Sequence, residues 1–190
     1  MANNLITLAE FKAYKGINST NQDDTISSII PKVSAFVKTF CKRTFIDYVD
    51  DVKVETVAAA PKSILLTEFP VVEVISVEES KDYGRTYIEL AEYDNFIVDK
   101  QAGCVVSTYN EFTTMPNGYV VTYKGGYVDG LPEDLKLAVL DLVEYYIKND
   151  SAVHSPKAPG TNSVQIEYIS TTSLPAHIKR VLDQYASHYG

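Results

Sequence analysis

His154, His177 and His188 are the only histidines in the chain. A metal site needs ligands that recur at short spacing, such as His-x3-His, and none of the three has one, so they read as surface imidazoles. Cys41 and Cys104 are the only thiols, which is neither a disulfide framework nor a zinc set. Lys42 and Arg43 beside Cys41 would favour a thiolate. No histidine stands near it, and a buried, inert thiol is the simpler reading. Carboxylates adjoin at Asp23–Asp24, Asp50–Asp51 and Glu78–Glu79. Two carboxyls converging on one glycosidic bond would make an acid and a base. Neighbours on a strand point to opposite faces, however, so a helix cap and solvated strand ends explain these pairs better. The run YKGGY, from Tyr123, is glycine-rich but lacks phosphate-loop and dinucleotide spacing, and reads as a strand-to-helix turn. Neither G-x-S-x-G nor H-E-x-x-H occurs. The expectation is a protein with no catalytic residue, no metal site and no cofactor.

The elements that would position side chains are easier to see. Thr7 followed by Glu10 is a capping box, predicting a short helix from about Leu8 to Tyr14 that ends at Gly16, with Phe11 and Tyr14 on one face. Ile26, Ile29, Ile30, Val33, Phe36, Val37 and Phe40 recur at helical period behind a cap at Asp23 or Asp24, and Lys42 and Arg43 suit the negative end of that helix's dipole. Pro31 lies inside this run and predicts a kink or a restart. From about Val52 to Tyr123 the texture becomes short β-rich runs: VKVETV, SILLT, VVEVISV, TYIEL, NFIV, CVVSTY and YVVTY. They are separated by turn signals at Pro61, Pro70, Asp82–Gly84, Gly103 and Asn117–Gly118. Their spacing favours antiparallel hairpins over βαβ units.

Gly125–Gly126 closes this region. Pro132, Glu133 and Asp134 then open a helix whose stripe is Leu135, Ala138, Val139, Leu142, Val143, Tyr146 and Ile147, with an end at Asn149–Asp150. Residues 151–163 are small, polar and rich in Pro and Gly, a loop. Val164, Ile166 and Tyr168 alternate as one short strand. Leu174–Pro175 opens a last helix carrying Ile178, Val181, Leu182 and Tyr185 on one side. The fold class is α+β.

Net charge is −8, which disfavours a protein that grips nucleic acid through its phosphates. The charge is uneven. Residues 1–43 hold three acids and six bases, residues 44–131 fifteen acids and six bases, and residues 132–190 seven acids and five bases. No signal-peptide pattern opens the sequence and no run is apolar enough to cross a bilayer, so a soluble protein made in a reducing cytoplasm is expected.

Taken in order, ITLAEFKAYKGI, DDTISSIIPKVSAFVKTFCKRTF, LTEFPVVEVISVEE, YDNFIVDKQAGCVV, YVVTYKGGYVDGLPEDLKLAVLDLVEYYIKN and SLPAHIKRVLDQYASHYG resemble the head–tail connector proteins of tailed phages over nearly the whole chain. The resemblance implies one connector domain, 1–190, an antiparallel helical bundle of the connector type with an inserted β region. Its parts would be N-terminal helices in 1–44, the insertion in 45–126, a main helix in 131–150, a loop and short strand in 151–173, and a C-terminal helix in 174–190.

The resemblance also implies a ring, usually of twelve copies, at the neck of the virion. That ring would dock on the portal protein, extend the DNA channel without gripping DNA, and receive a stopper or tail terminator; assembly would take place in the host cytoplasm. The long insertion and the Pro/Gly-rich 151–163 segment leave the adaptor and stopper layers both open. For portal docking the candidates are Ile178, Val181, Leu182, Tyr185 and Tyr189, against the alternative that this stripe completes the subunit core. For a loop facing the ring's lumen they are His154, Lys157 and Asn162. Competing readings are another virion module, such as a tail-completion or decoration protein, and a carbohydrate- or protein-binding β domain. An exposed cluster of Tyr83, Tyr87, Tyr93 and Tyr109 would favour the latter.

Overall fold

The computed structural model describes residues 3–108, 111–153 and 174–187, with 149–153 described by backbone alone. The chain forms two compact units. One is helical and comprises Asn4–Cys41 with Pro132–Ala186; the other, rich in strands, comprises Lys42–Leu131 with short terminal pieces.

The helical unit contains α1 (Leu8–Lys15), α2 (Asp23–Cys41), α3 (Glu133–Val153) and α4 (Ala176–Tyr185). At the start of α1 the Thr7 hydroxyl accepts from the Glu10 amide at 3.2 Å, and the Glu10 carboxylate accepts from the Thr7 amide at 2.7 Å. Gly16 ends the helix at φ 66°, and Ile17 N–H donates to Lys12 O at 2.9 Å. Both ends thus satisfy their backbone groups as the local sequence predicts.

α2 runs unbroken through Pro31, so the restart does not occur. The ring sits on the exposed face, where solvent can take the carbonyl that a proline cannot serve. Asp23 opens the helix without capping it, and it pairs with Lys12 at 2.7 Å. The predicted stripe is buried at Ile26, Ile29, Ile30, Val33 and Val37, and half-buried at Phe36 and Phe40. Ser34 shares that face because its hydroxyl accepts from Leu5 N–H at 3.0 Å. On α3, Leu135, Ala138, Val139, Leu142 and Val143 are buried. This helix runs on to Val153, past the expected stop at Asn149–Asp150. Asn and Asp are only mildly unfavourable in helices, and no Gly or Pro follows before Ser155. The strand expected at 164–168 and the loop from His154 onward lie outside the described residues.

Among the described residues the second unit has seven strands, all paired antiparallel: β1 (Lys53–Val57), β2 (Ser63–Leu65), β3 (Val71–Glu79), β4 (Ile88–Glu89), β5 (Phe96–Asp99), β6 (Cys104–Ser107) and β7 (Tyr119–Gly125). They make a four-stranded sheet ordered β1-β7-β3-β4 and a three-stranded sheet ordered β2-β6-β5. Mixed helix with antiparallel sheet therefore holds as the fold class. Only β3–β4 and β5–β6 are sequence-adjacent pairs, so a simple succession of hairpins does not describe it. β7 alternates fully, with Tyr119, Val121 and Tyr123 inward at 0 % exposure. A strand with that much apolar surface on one face is best flanked on both sides, and β1 and β3 flank it. Ile64, Leu66, Val71, Val77, Phe96 and Val105 complete the core of this unit.

Candidate functional site

The groups that could do chemistry lie apart. His177 is exposed and stands 3.9 Å from Asp141; His154 and His188 lie outside the described residues. Cys41 is fully buried within the helical unit, and its thiol donates to Leu182 O at 3.5 Å. Cys104 is half-buried on β6, and burial pushes its thiol pKa up. No group of three or more His, Cys, Asp or Glu that could hold a metal exists among the described residues. Glu78 and Glu79 diverge as strand geometry requires. Glu79 accepts from Tyr119 OH at 2.8 Å and Thr113 OH at 3.0 Å, while Glu78 stands opposite Glu89 of β4.

The second unit is organised around polar groups that the sequence did not announce. Glu68 is fully buried. Its carboxylate accepts from Thr44 N–H at 2.7 Å, Thr44 OH at 3.0 Å and Phe45 N–H at 3.1 Å, with Lys53 Nζ at 3.4 Å. Arg43, 1 % exposed, donates to Phe69 O and lies over the rings of Phe69 and Phe45, 3.5 and 4.9 Å from their centroids. Arg43 therefore does not serve the end of α2 as the sequence suggested: Lys42, at φ 54°, turns the chain out of the helix. The YKGGY segment explains its glycines by close approach. A Cβ on Gly126 would lie 2.2 Å from Phe45 O, and one on Gly125 2.7 Å from Glu68 O. Burial, and then its bond with Glu79, pushes the Tyr119 pKa up to about 12, and burial raises that of Tyr123 further. These groups hold loops in place.

Of the candidate docking residues, Ile178 and Leu182 are buried in the helical unit at 1 % and 0 % exposure. Val181 and Tyr185 are half-buried, and the Tyr185 hydroxyl donates to Asp134 at 2.6 Å. The outer side of α4 carries the Lys179–Asp183 ion pair at 2.7 Å, with Arg180 exposed. Tyr189, and the lumen candidates His154, Lys157 and Asn162, lie outside the described residues. Of the four tyrosines considered for ligand binding, Tyr83 and Tyr93 are exposed, Tyr87 is half-buried with its hydroxyl on Asn117 O, and Tyr109 lies outside the described residues.

Three comparisons bear on this arrangement. No curated protein matches the chain. Among solved structures, it is similar to a chain from the neck of an empty gene transfer agent (GTA) particle computed with C6 symmetry. The TM-score is 0.57 at 14 % identity, covering 98 % of this chain and 95 % of that one. A chain from the neck of the native particle computed with C12 symmetry gives 0.53 at 15 % identity over the same shares, and one from the native virion 0.57 at 14 % over 96 % and 90 %. At such identities the likeness speaks for the fold. A model of the head completion protein family matches residues 4–187, which takes in both units. The chain belongs to the head completion protein family, and it is a structural head–tail connector.

Proposed function

We propose that copies of this chain close into a ring at the neck of the virion, dock on the portal through α4 and the tail that follows it, and line part of the DNA passage without gripping the DNA. The observation that carries the reading is family membership across both units. The C6 and C12 symmetries of the similar necks support a cyclic assembly, and twelve copies is the number proposed. The helical unit would be the connector-type bundle, and the acidic strand-rich unit, with the loop holding His154, Lys157 and Asn162, would face the lumen. Negative charge there repels phosphate and leaves the duplex free to slide. A stopper or tail terminator would bind the far side of the ring, and assembly would take place in the host cytoplasm. The protein would act without catalysis.

Portal docking would rest on Val181, Tyr185 and Tyr189, while Ile178 and Leu182, buried within the helical unit, hold α4 in place. Native mass measurement with and without purified portal tests this. Wild type should give a portal-bound ring, and alanine at Tyr185 and Tyr189 together should weaken binding at least tenfold. Because Tyr185 also bonds Asp134, Tyr185→Phe is the control: it removes that bond and keeps the ring face. Unchanged binding in the double alanine variant sinks the docking surface, and a lumen lined by basic residues sinks the passage.

A further inference from the structure

A cavity of about 160 Å³ opens on the strand-rich unit, between the end of β2 with the residues after it and the turn joining β5 to β6. Leu65, Leu66 and Phe69 form one wall, and Ala102 and Gly103 form the other. Leu65 keeps 41 % of its surface exposed, so apolar surface faces solvent here. The walls are fixed by backbone bonds. Ala102 N–H donates to the Asp99 carboxylate and Gly103 N–H to the Asp99 carbonyl, each at 2.9 Å, and Leu66 N–H donates to Gly103 O at 2.8 Å. A Cβ on Gly103 would lie 2.5 Å from Phe69 Cβ, so the two walls are in contact there. A rigid, apolar concavity of this kind is the usual form of a binding site.

The sequence supplies an occupant at the rim. Ser187 lines the same cavity, and all the lining residues belong to the strand-rich unit. Tyr189 stands two positions further on and is the first tyrosine or phenylalanine after Ser187. Two residues span at most about 7 Å, so its ring is within reach of the walls. An apolar cavity of about 150 Å³ accepts one benzene-sized ring. A phenol needs the same space, with its hydroxyl turned to the open mouth and water. His188 is the other ring in reach, but it carries two polar nitrogens that apolar walls do not satisfy.

We propose that this cavity binds the ring of Tyr189 from the same chain while the protein is unassembled, and that the portal draws the tail out when it docks. A tether of two residues presents the ring at an effective concentration on the order of millimolar or above, so the chain's own tail outcompetes that of another copy. Burial of the ring against Leu65, Leu66 and Phe69 supplies the hold. A subunit with its tail held is a weaker portal ligand than one with its tail free, in proportion to the fraction held. That holding back rests on the portal-docking reading; the cavity and its occupant do not.

The test places a photoreactive phenylalanine analogue at position 189 of the purified full-length chain. Irradiation should give a product that keeps the 21.1 kDa mass of one chain, joined within itself to Leu65–Phe69 or to Gln101–Gly103. A crosslink elsewhere, a dimer, or no crosslink overturns the inference. Ala102→Trp, at an exposed position on the rim, fills the cavity. It should abolish the crosslink and tighten portal binding by about threefold or more. A crosslink that survives the change overturns the site, and one lost with portal affinity unaltered overturns the holding back. Thermal melting checks that the variant is folded. Should it melt early, Leu65→Lys is the second variant and should lose the crosslink likewise. Wild-type chain that crosslinks as expected yet binds no portal sinks the docking reading, and with it the holding back, while the occupied cavity stands.

Discussion

Glu68 holds the amide of Thr44 at 2.7 Å across 24 positions of sequence, and one carboxylate thereby fixes the segment that leads from α2 into the strand-rich unit. Buried donors left without an acceptor are costly, each by about 1–3 kcal/mol. Glu68→Ala should therefore destabilise the protein by roughly 3 kcal/mol, read as a lower denaturation midpoint. Glu92→Ala, at an exposed position, should stay within about 0.5 kcal/mol.

Gly126 should not accept a side chain. An added Cβ meets Phe45 O at 2.2 Å on a backbone at φ 120°. Gly126→Ala should cost at least about 2 kcal/mol or prevent soluble expression. Gly130, at φ 90° with nothing within 4 Å of an added Cβ, should lose only about 1 kcal/mol on the same change.

Raising pH should loosen the strand-rich unit through Tyr119. Its folded pKa, about 12, lies above the ordinary tyrosine value of about 10. The contribution is thus whole below pH about 10 and fades as pH climbs to about 12. Ultraviolet tyrosinate titration should show a late step near 12, and Tyr119→Phe should remove it. An early step in place of the late one would contradict the burial described.

Asp82 gives the opposite sign. Bonds from the Thr86 hydroxyl and amide, and from the Ser80 hydroxyl, draw its carboxyl down to about 2. A lowered pKa stabilises the turn above the ordinary carboxyl range of about 4, and that hold is lost as pH falls through about 2. Carboxyl chemical shifts should place the midpoint near 2. Thr86→Val should raise it part of the way toward the ordinary value, because the Thr86 and Arg85 amides and the Ser80 hydroxyl still bond the carboxylate; a midpoint that does not move would rule out the hydroxyl as the main cause.

Much of this was legible before any coordinates. The capping box at Thr7 and Glu10 and the left-handed stop at Gly16 are local chemistry, fixed within a few residues, and α1 follows them closely. The stripes of α2 and α3 and the seven β-rich runs follow periodicity in the same way. Strand order was not legible, because Lys53 opposite Tyr123 is a choice made across 70 positions and decided by which faces bury together. Nor was the role of Arg43 and Glu68. Each is a charged residue whose burial depends on partners far along the chain, and sequence alone gives such residues to the surface. At the candidate site the α4 stripe was seen correctly as apolar, but period cannot divide Ile178 and Leu182, which the subunit buries, from Val181 and Tyr185, which it half exposes.

The helical unit draws its two halves, Asn4–Cys41 and Pro132–Ala186, from either side of the strand-rich stretch. On a translating ribosome the intervening 42–131 stretch emerges whole and can condense while α2 still waits for α3 and α4. Until α3 arrives, the greasy side of α2 lacks its main cover, and a nascent chain stalled before residue 133 is a natural target for chaperones and proteases. A head–tail connector chain that lacks its last helices thus exposes apolar surface that the full-length chain buries.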